Sequence, residues 1–255
     1  MGPRARWIVV AVLGAVLVLP GVSLAQGTAA DPLPEAGTEL EPGRYVSDLV
    51  GPSIDFRVGE GWIAGPSGGG PIFTLEYLPA PGAVLSVTRF DGEVFLDSCD
   101  STSMTLVEPS VPRLAEIISG NPFLNPGPVD VVDVGGHSGL RVDVGVPRFD
   151  ATDCALPYVL IWAIPVGEGG EFVQMADQQS RFLVLDVGGD VIVIAIETFP
   201  GVPFGGFLEA SMELVESMAI EPGEYIPPEP TPTPAATLEP TASPSPAPPT
   251  AGSSA

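Results

Sequence analysis

Few residues in this chain are of a type and spacing that could carry chemistry. His137 is the single histidine among 255 residues, so any Ser-His-Asp or Cys-His arrangement depends on it. Its setting, Gly135-Gly136-His137-Ser138-Gly139, reads as an exposed hairpin turn and not as the strand–turn–helix of a nucleophile elbow. A structural zinc site needs four Cys or His ligands, which the chain lacks. The run from Gly65 to Gly70 is glycine-rich, but it has no phosphate-binding lysine and leads into a strand, so it reads as a loop. Glycoside hydrolysis needs two acids about 5 to 10 Å apart. With 32 acids such pairs arise by chance, and beyond the leader only Trp62 and Trp162 remain as tryptophan platforms for a sugar.

One cluster is more specific. Asp97 and Asp100 flank Cys99, and Asp150 and Asp153 precede Cys154. A Cys99–Cys154 bridge brings both pairs within reach of each other. Four carboxylates around one crosslink repel unless they are solvated or neutralised, and Ca²⁺ takes oxygen ligands of this kind. The competing reading is that all four form turns and point to water. That reading is preferred, and Asp97, Asp100, Asp150 and Asp153 stand as a calcium expectation beside it.

The elements that must position these residues begin with a leader. Arg4 and Arg6 precede an apolar run from Trp7 to Leu19, Pro20-Gly21 breaks it, and Ser23-Leu24-Ala25 provides small residues before a cut at Gln26. This is the order of a cleavable secretory signal over residues 1–25. The apolar run is shorter than the roughly 20 residues that a spanning helix needs. Export also sets the redox state, since thiols outside the cytosol oxidise. Cys99 and Cys154 are the only cysteines, and a disulfide between them is expected.

Charge excludes one class of partner. The chain has no lysine, nine arginines and 32 acids, for a net charge of −23. Loss of the leader removes two arginines and no acid, which takes the mature chain to −25. Such a surface repels phosphate backbones and anionic lipid headgroups, so nucleic acid is not an expected partner. From Pro227 to Ala255, ten of 29 residues are proline and almost nothing is available to bury. The segment 223–255 is expected to be a disordered spacer with no membrane anchor, and 26–39 a second, shorter linker.

Strand signals fill residues 40–222. Ile54, Phe56 and Val58 alternate with polar residues, and Gly59 to Gly61 turn the chain into Trp62. Ile72–Leu78 and Val84–Phe90 flank the Pro79–Gly82 turn, and Val129–Val134 and Leu140–Val146 flank the turn at His137. Arg181–Val187 and Val191–Thr198 flank Gly188-Gly189-Asp190, where paired glycines supply the positive φ of a primed turn. VIVIAI is apolar on both faces, which predicts an inner strand covered on each side. A helix is expected from Ser110, as cap, through Ile118, with Gly120 as its stop. A second amphipathic helix is expected over 204–217, with Phe204, Phe207, Leu208, Met212 and Val215 on one face, followed by a strand over 218–220.

The frame Pro42-Gly43-Arg44-Tyr45 with Ile54 to Trp62 resembles the N-terminal hairpin of Mog1/PsbP-like domains, and so does the closing block RFLVLDVGGDVIVIAIET with its helix and last strand. Secreted domains of high-GC bacteria are similar, including one cysteine ahead of the first helix and one after the second hairpin. The resemblance implies an α+β fold, a mainly antiparallel β-sheet with two amphipathic helices in a Mog1/PsbP-like sandwich, and a module without chemistry of its own. The expected function is a non-catalytic, extracytoplasmic binding or protein-interaction module for an unknown protein or small-molecule ligand, with no cofactor. The alternative is a secreted hydrolase working through paired carboxylates.

Overall fold

The computed structural model describes residues 29–66, 70–149, 154, 156–164 and 170–225. The expected leader and the proline-rich tail from Pro227 lie outside them. The fold is α+β, with mostly antiparallel strands and two helices among the described residues.

The middle layer is an eight-stranded antiparallel sheet. In spatial order it runs β10 (Asn125–Val134), β11 (His137–Gly145), β14 (Gln179–Val187), β15 (Asp190–Thr198), β7 (Ala83–Phe90), β6 (Ile72–Tyr77), β5 (Trp62–Ala64) and β2 (Glu39–Leu40). All three expected hairpins are in it. Gly188 and Gly189 have φ of 66° and 100°, and Val187 faces Asp190 across the resulting two-residue turn. Gly135 and Gly136 make the same kind of turn at φ of 60° and 85°, so His137 is the first residue of β11 and not part of the loop.

β15 is the inner strand that its sequence predicts, because alternate residues feed two separate cores. Ile192, Ile194 and Ile196 pack with Ile54, Phe56, Phe207, Leu214 and Val215. Val191, Val193 and Ala195 pack with Leu114, Ile118, Trp162 and Phe172. The cover over the first face is α2 (Phe204–Glu216) together with a sheet ordered β1 (Asp31–Pro32), β3 (Gly43–Ser47), β4 (Ser53–Val58), β16 (Ala219–Glu221). Over the second face it is α1 (Val111–Gly120) together with a sheet ordered β13 (Gly170–Met175), β12 (Tyr158–Ile164), β8 (Glu93–Phe95), β9 (Met104–Leu106). Each face is thus covered by a helix and a sheet, where sequence reasoning placed helices alone.

Both helices start close to where their sequence signals fall. The Ser110 hydroxyl accepts from Arg113 N at 3.4 Å and Pro112 sits in the first turn of α1. Gly120 remains helical, and the cap is Asn121 in extended conformation. The Asn121 side chain donates to Ser98 Oγ at 2.8 Å, which ties the helix end to the loop carrying Cys99. On α2, Phe207 and Val215 are buried as expected, but Phe204, Leu208 and Met212 are only partly covered, and Ser211 and Leu214 complete the inner face.

The segment 26–39 is not uniformly a linker. Asp31–Pro32 adds a parallel edge strand to β3, and Glu39 begins a strand paired with β5. Two-residue pairings of exposed side chains leave little hydrophobic signal to read. Cys99 and Cys154 form a disulfide with Cα atoms 5.2 Å apart, joining the β8–β9 connection to the chain ahead of β12. No helix among the described residues is long and apolar enough to cross a membrane.

Candidate functional site

The residues singled out in the sequence do not converge. Asp97 Oδ1 accepts the Cys99 amide at 2.9 Å, and Asp100 Oδ1 accepts from Thr102 N and Thr102 Oγ1 at 2.8 and 2.7 Å. The Thr102 bonds hold the Asp100 carboxyl below its usual range. Both side chains therefore act as local turn acceptors. Asp150 and Asp153 lie outside the described residues, and among the described residues no three His, Cys, Asp or Glu side chains gather as a metal site. His137 is part-buried, with Nε2 3.0 Å from the Ile220 carbonyl oxygen. A carbonyl only accepts, so Nε2 carries the proton and the ring ties β11 to β16.

A different group of residues does converge, at one end of the second core. The middle of that core is aromatic: Trp162 stacks on Phe172 with centroids 4.0 Å apart, and Phe182 stands edge-on to both at 5.7 Å. One step further along the strands the same layer turns polar. Ser180 is directly across from Glu197 in the β14–β15 pair, and β13 lays Gln174 over them. Gln178 enters from the β13–β14 turn, where Asp177 adopts a φ of 63° and Gln178 N closes on Met175 O at 3.1 Å.

Hydrogen bonds fix the direction of both amides. Gln174 Oε1 accepts from Ser180 Oγ at 2.6 Å, so its NH₂ group donates to Glu197 Oε1. Gln178 Oε1 accepts from Met175 N at 2.8 Å, and its NH₂ donates to the same Glu197 oxygen at 3.0 Å. Among the described residues Glu197 has no cationic partner. Burial pushes its carboxyl up to about 8, against the opposing pull of the Gln174 and Ser180 bonds. Burial thus favours the uncharged acid over the carboxylate.

Beside this network is an open pocket of about 230 Å³ between β13 and the β6–β7–β15 part of the middle sheet. Ile72, Val84, Ile164, Phe172 and Val173 give it a largely apolar lining, to which Glu171, Gln178 and Glu197 also belong. Ser86, 3% exposed, also lines it, and its hydroxyl has no hydrogen-bond partner. The Ser86 Oγ is itself fully buried, as are Trp162 Nε1, Thr198 Oγ1 and Ser211 Oγ, which also have no hydrogen-bond partner among the described residues. A larger open cleft of about 710 Å³ beside Glu39, Glu41, Glu60 and Tyr77 offers carboxylates but no such convergent polar network.

Sequence reasoning did not find Glu197, Gln174, Gln178, Ser180 or Ser86. The available signal was parity: Val191, Val193 and Ala195 point to one core, and Glu197 continues the same series.

No protein-family model matches the chain, and no curated relative does. Solved structures overlap it weakly, two of them as follows. One is the solution structure of cyanobacterial PsbP (CyanoP) from Synechocystis sp. PCC 6803, 11% identical, with 73% of this chain and 97% of that chain covered at a TM-score of 0.36. The other is a crystal structure from Bacteroides thetaiotaomicron VPI-5482, 8% identical, with 65% of this chain covered at a TM-score of 0.35. The match spans 44% of that second chain.

Proposed function

We propose that this chain is a non-catalytic extracytoplasmic binding module whose ligand occupies the cavity beside Glu197. The observation that carries this reading is the pocket itself: a largely apolar lining that includes a few polar groups is the form of a small-molecule site. Export is supported by the leader and by a disulfide that persists only where thiols are oxidised. The proline-rich tail acts as a spacer from another surface. Assignment to a Mog1/PsbP-like sandwich rests on the frame from Pro42 to Trp62 and on the closing hairpin with its helix and strand.

The hydrolase reading has one observation in its favour, namely that Glu171 and Glu197 line the same cavity. A carboxyl raised towards neutrality is what a general acid requires. The binding reading is favoured because Glu197 Oε1 is already engaged by two amides, which hold the side chain in place. Thermal melting against a panel of small apolar compounds tests it. Compounds of the right size raise the melting temperature of the wild type and leave a cavity-filling Val84→Trp variant unmoved. Gains of equal size in both proteins, or turnover of chromogenic glycosides abolished by Glu197→Gln, overturn the reading.

A further inference from the structure

Among the described residues β10 is the last strand of the eight-stranded sheet, with nothing paired to its outer edge. The two-residue turn at Gly135-Gly136 makes Val134 and His137 a hydrogen-bonded pair. Bonded and open pairs alternate along an antiparallel ladder. Val132–Gly139 and Asp130–Arg141 are therefore bonded, while Val129, Val131 and Asp133 turn their N–H and C=O groups away from β11. The Val146 amide, which bonds Gln178 O on the opposite side, keeps the same alternation along that strand. Upstream, Pro126, Pro128 and a register shift between Pro126 and Val129 close the edge to pairing. From Val129 to Val134 no proline or lysine guards it, and Val131 is 80% exposed. An open groove adjoins this edge on the α2 side. Val132 of β10 with Met212 and Val215 of α2 give it an apolar lining, to which Asp133, Arg141 and Glu216 also belong. Arg141 is engaged by Asp130, whereas Asp133 and Glu216 are exposed and pair with no described arginine.

We propose that β10 takes up an extended segment of another protein as a ninth strand, apolar where it faces Val131 and Val132 and basic where it faces Asp133. Main-chain bonds to Val129, Val131 and Asp133 supply the affinity. Successive side chains of a strand point to opposite faces, so one set lies beside Val129 and Val131 and the other enters the groove beside α2. Charge selects the occupant. The chain is strongly acidic, and the exposed acids at the edge lack a described counter-charge. A second copy is as acidic as the first and is repelled, whereas a basic residue directly across from Asp133 is attracted. This edge is separate from the pocket beside Glu197, and neither site depends on the other.

Three synthetic heptapeptides with capped ends test this by NMR and amide exchange on the full-length mature protein. The first is KRIVTVT. Laid antiparallel against Val134 to Pro128, its arginine faces Asp133, its isoleucine Val132 and its first valine Val131. The second replaces both basic residues by glutamate. The third is KRIVTVT with N-methyl groups on the arginine and the two valines, the positions that bond β10. Without peptide, the amides of Val129, Val131 and Asp133 exchange rapidly, while those of Asp130, Val132 and Val134 are protected. KRIVTVT protects the first three, and the acidic and N-methylated peptides bind at least tenfold more weakly. Asp133→Asn weakens KRIVTVT about threefold. Val131→Pro, whose missing N–H is not used within the fold, abolishes binding. The N-methylated peptide makes the same test without altering the protein. Equal binding of the acidic peptide overturns the basic partner, and equal binding of the N-methylated one overturns strand addition. No binding at millimolar peptide overturns the proposal outright. Protection of the same three amides on raising the protein concentration alone makes a second copy the occupant, which also overturns it.

Discussion

Replacing Glu197 with glutamine keeps the size and shape of the side chain and removes its titration. In the folded protein the carboxyl titrates at about 8, against 4.5 for a free glutamate side chain. The folded state therefore binds a proton more tightly than the unfolded chain, and the resulting stabilisation is fully present below about pH 4.5. It is lost progressively as pH rises, and is gone once pH passes about 8. A shift of this size corresponds to an upper bound of roughly 5 kcal/mol. Glu197 is only part-buried and borders the cavity, so solvent there reduces the effect to about 2–3 kcal/mol. At pH 5 the amide oxygen introduced by Glu197→Gln still accepts from Gln174 and Gln178, and the variant is expected within about 1 kcal/mol of the wild type. At pH 9 the variant is expected to be the more stable by about 2–3 kcal/mol. Guanidinium titrations at pH 5, 7 and 9, followed by the fluorescence of the fully buried Trp162, measure both curves. The remaining 31 acids titrate alike in the two proteins, so their contribution cancels in the difference. Parallel curves across this range would refute the claim that Glu197 is held as a neutral acid.

The other predictions concern the scaffold and the calcium expectation. The Cys99→Ser, Cys154→Ser double variant is expected to lose about 4 kcal/mol, because the bridge closes a loop with a sequence separation of 55; a loss below about 1 kcal/mol in denaturant titrations contradicts the crosslink's role. Gly139→Ala is expected to cost about 3 kcal/mol, since its Cβ falls 2.1 Å from the Val184 carbonyl oxygen on the neighbouring strand, and calorimetry measures the drop. Calcium and magnesium at equal concentration are expected to raise the melting temperature equally by screening the acidic surface. A calcium-specific gain abolished by Asp97→Asn would instead establish a site at the Asp97, Asp100, Asp150 and Asp153 cluster.

What the sequence revealed and what it hid follow from the range of the interactions involved. The three hairpins of the middle sheet were legible because each is local: two apolar runs, and a turn whose glycines adopt positive φ. β15 was legible as an inner strand because both of its faces are apolar over six residues. β12, with YVLIWAI, is as apolar as β15, but no primed-turn signal follows it to mark a hairpin. β8 and β9 have three residues each and were too short to show any period. The helix at Ser110 was visible through its cap, whereas its end depends on Asn121 bonding Ser98, a residue 23 positions away.

The candidate site was hidden for a sharper reason: it exists only in register. Along three strands the second core changes from apolar to polar within one two-residue step, from Phe182 to Ser180 on β14, from Ala195 to Glu197 on β15, and from Phe172 to Gln174 on β13. Read singly, each is an ordinary polar residue near a strand end. They become one site because Ser180 pairs with Glu197 across β14–β15, while β13 belongs to another sheet and is brought to them by the packing of Trp162 and Phe172 on Phe182 and by the Gln174 hydrogen bonds. A core shaped for stability alone does better with apolar residues at all of these positions, since replacing buried polar groups by well-packed hydrophobes is often neutral or stabilising. Here buried polar groups are kept instead, and Gln174, Gln178, Ser180 and Glu197 are joined to one another by hydrogen bonds.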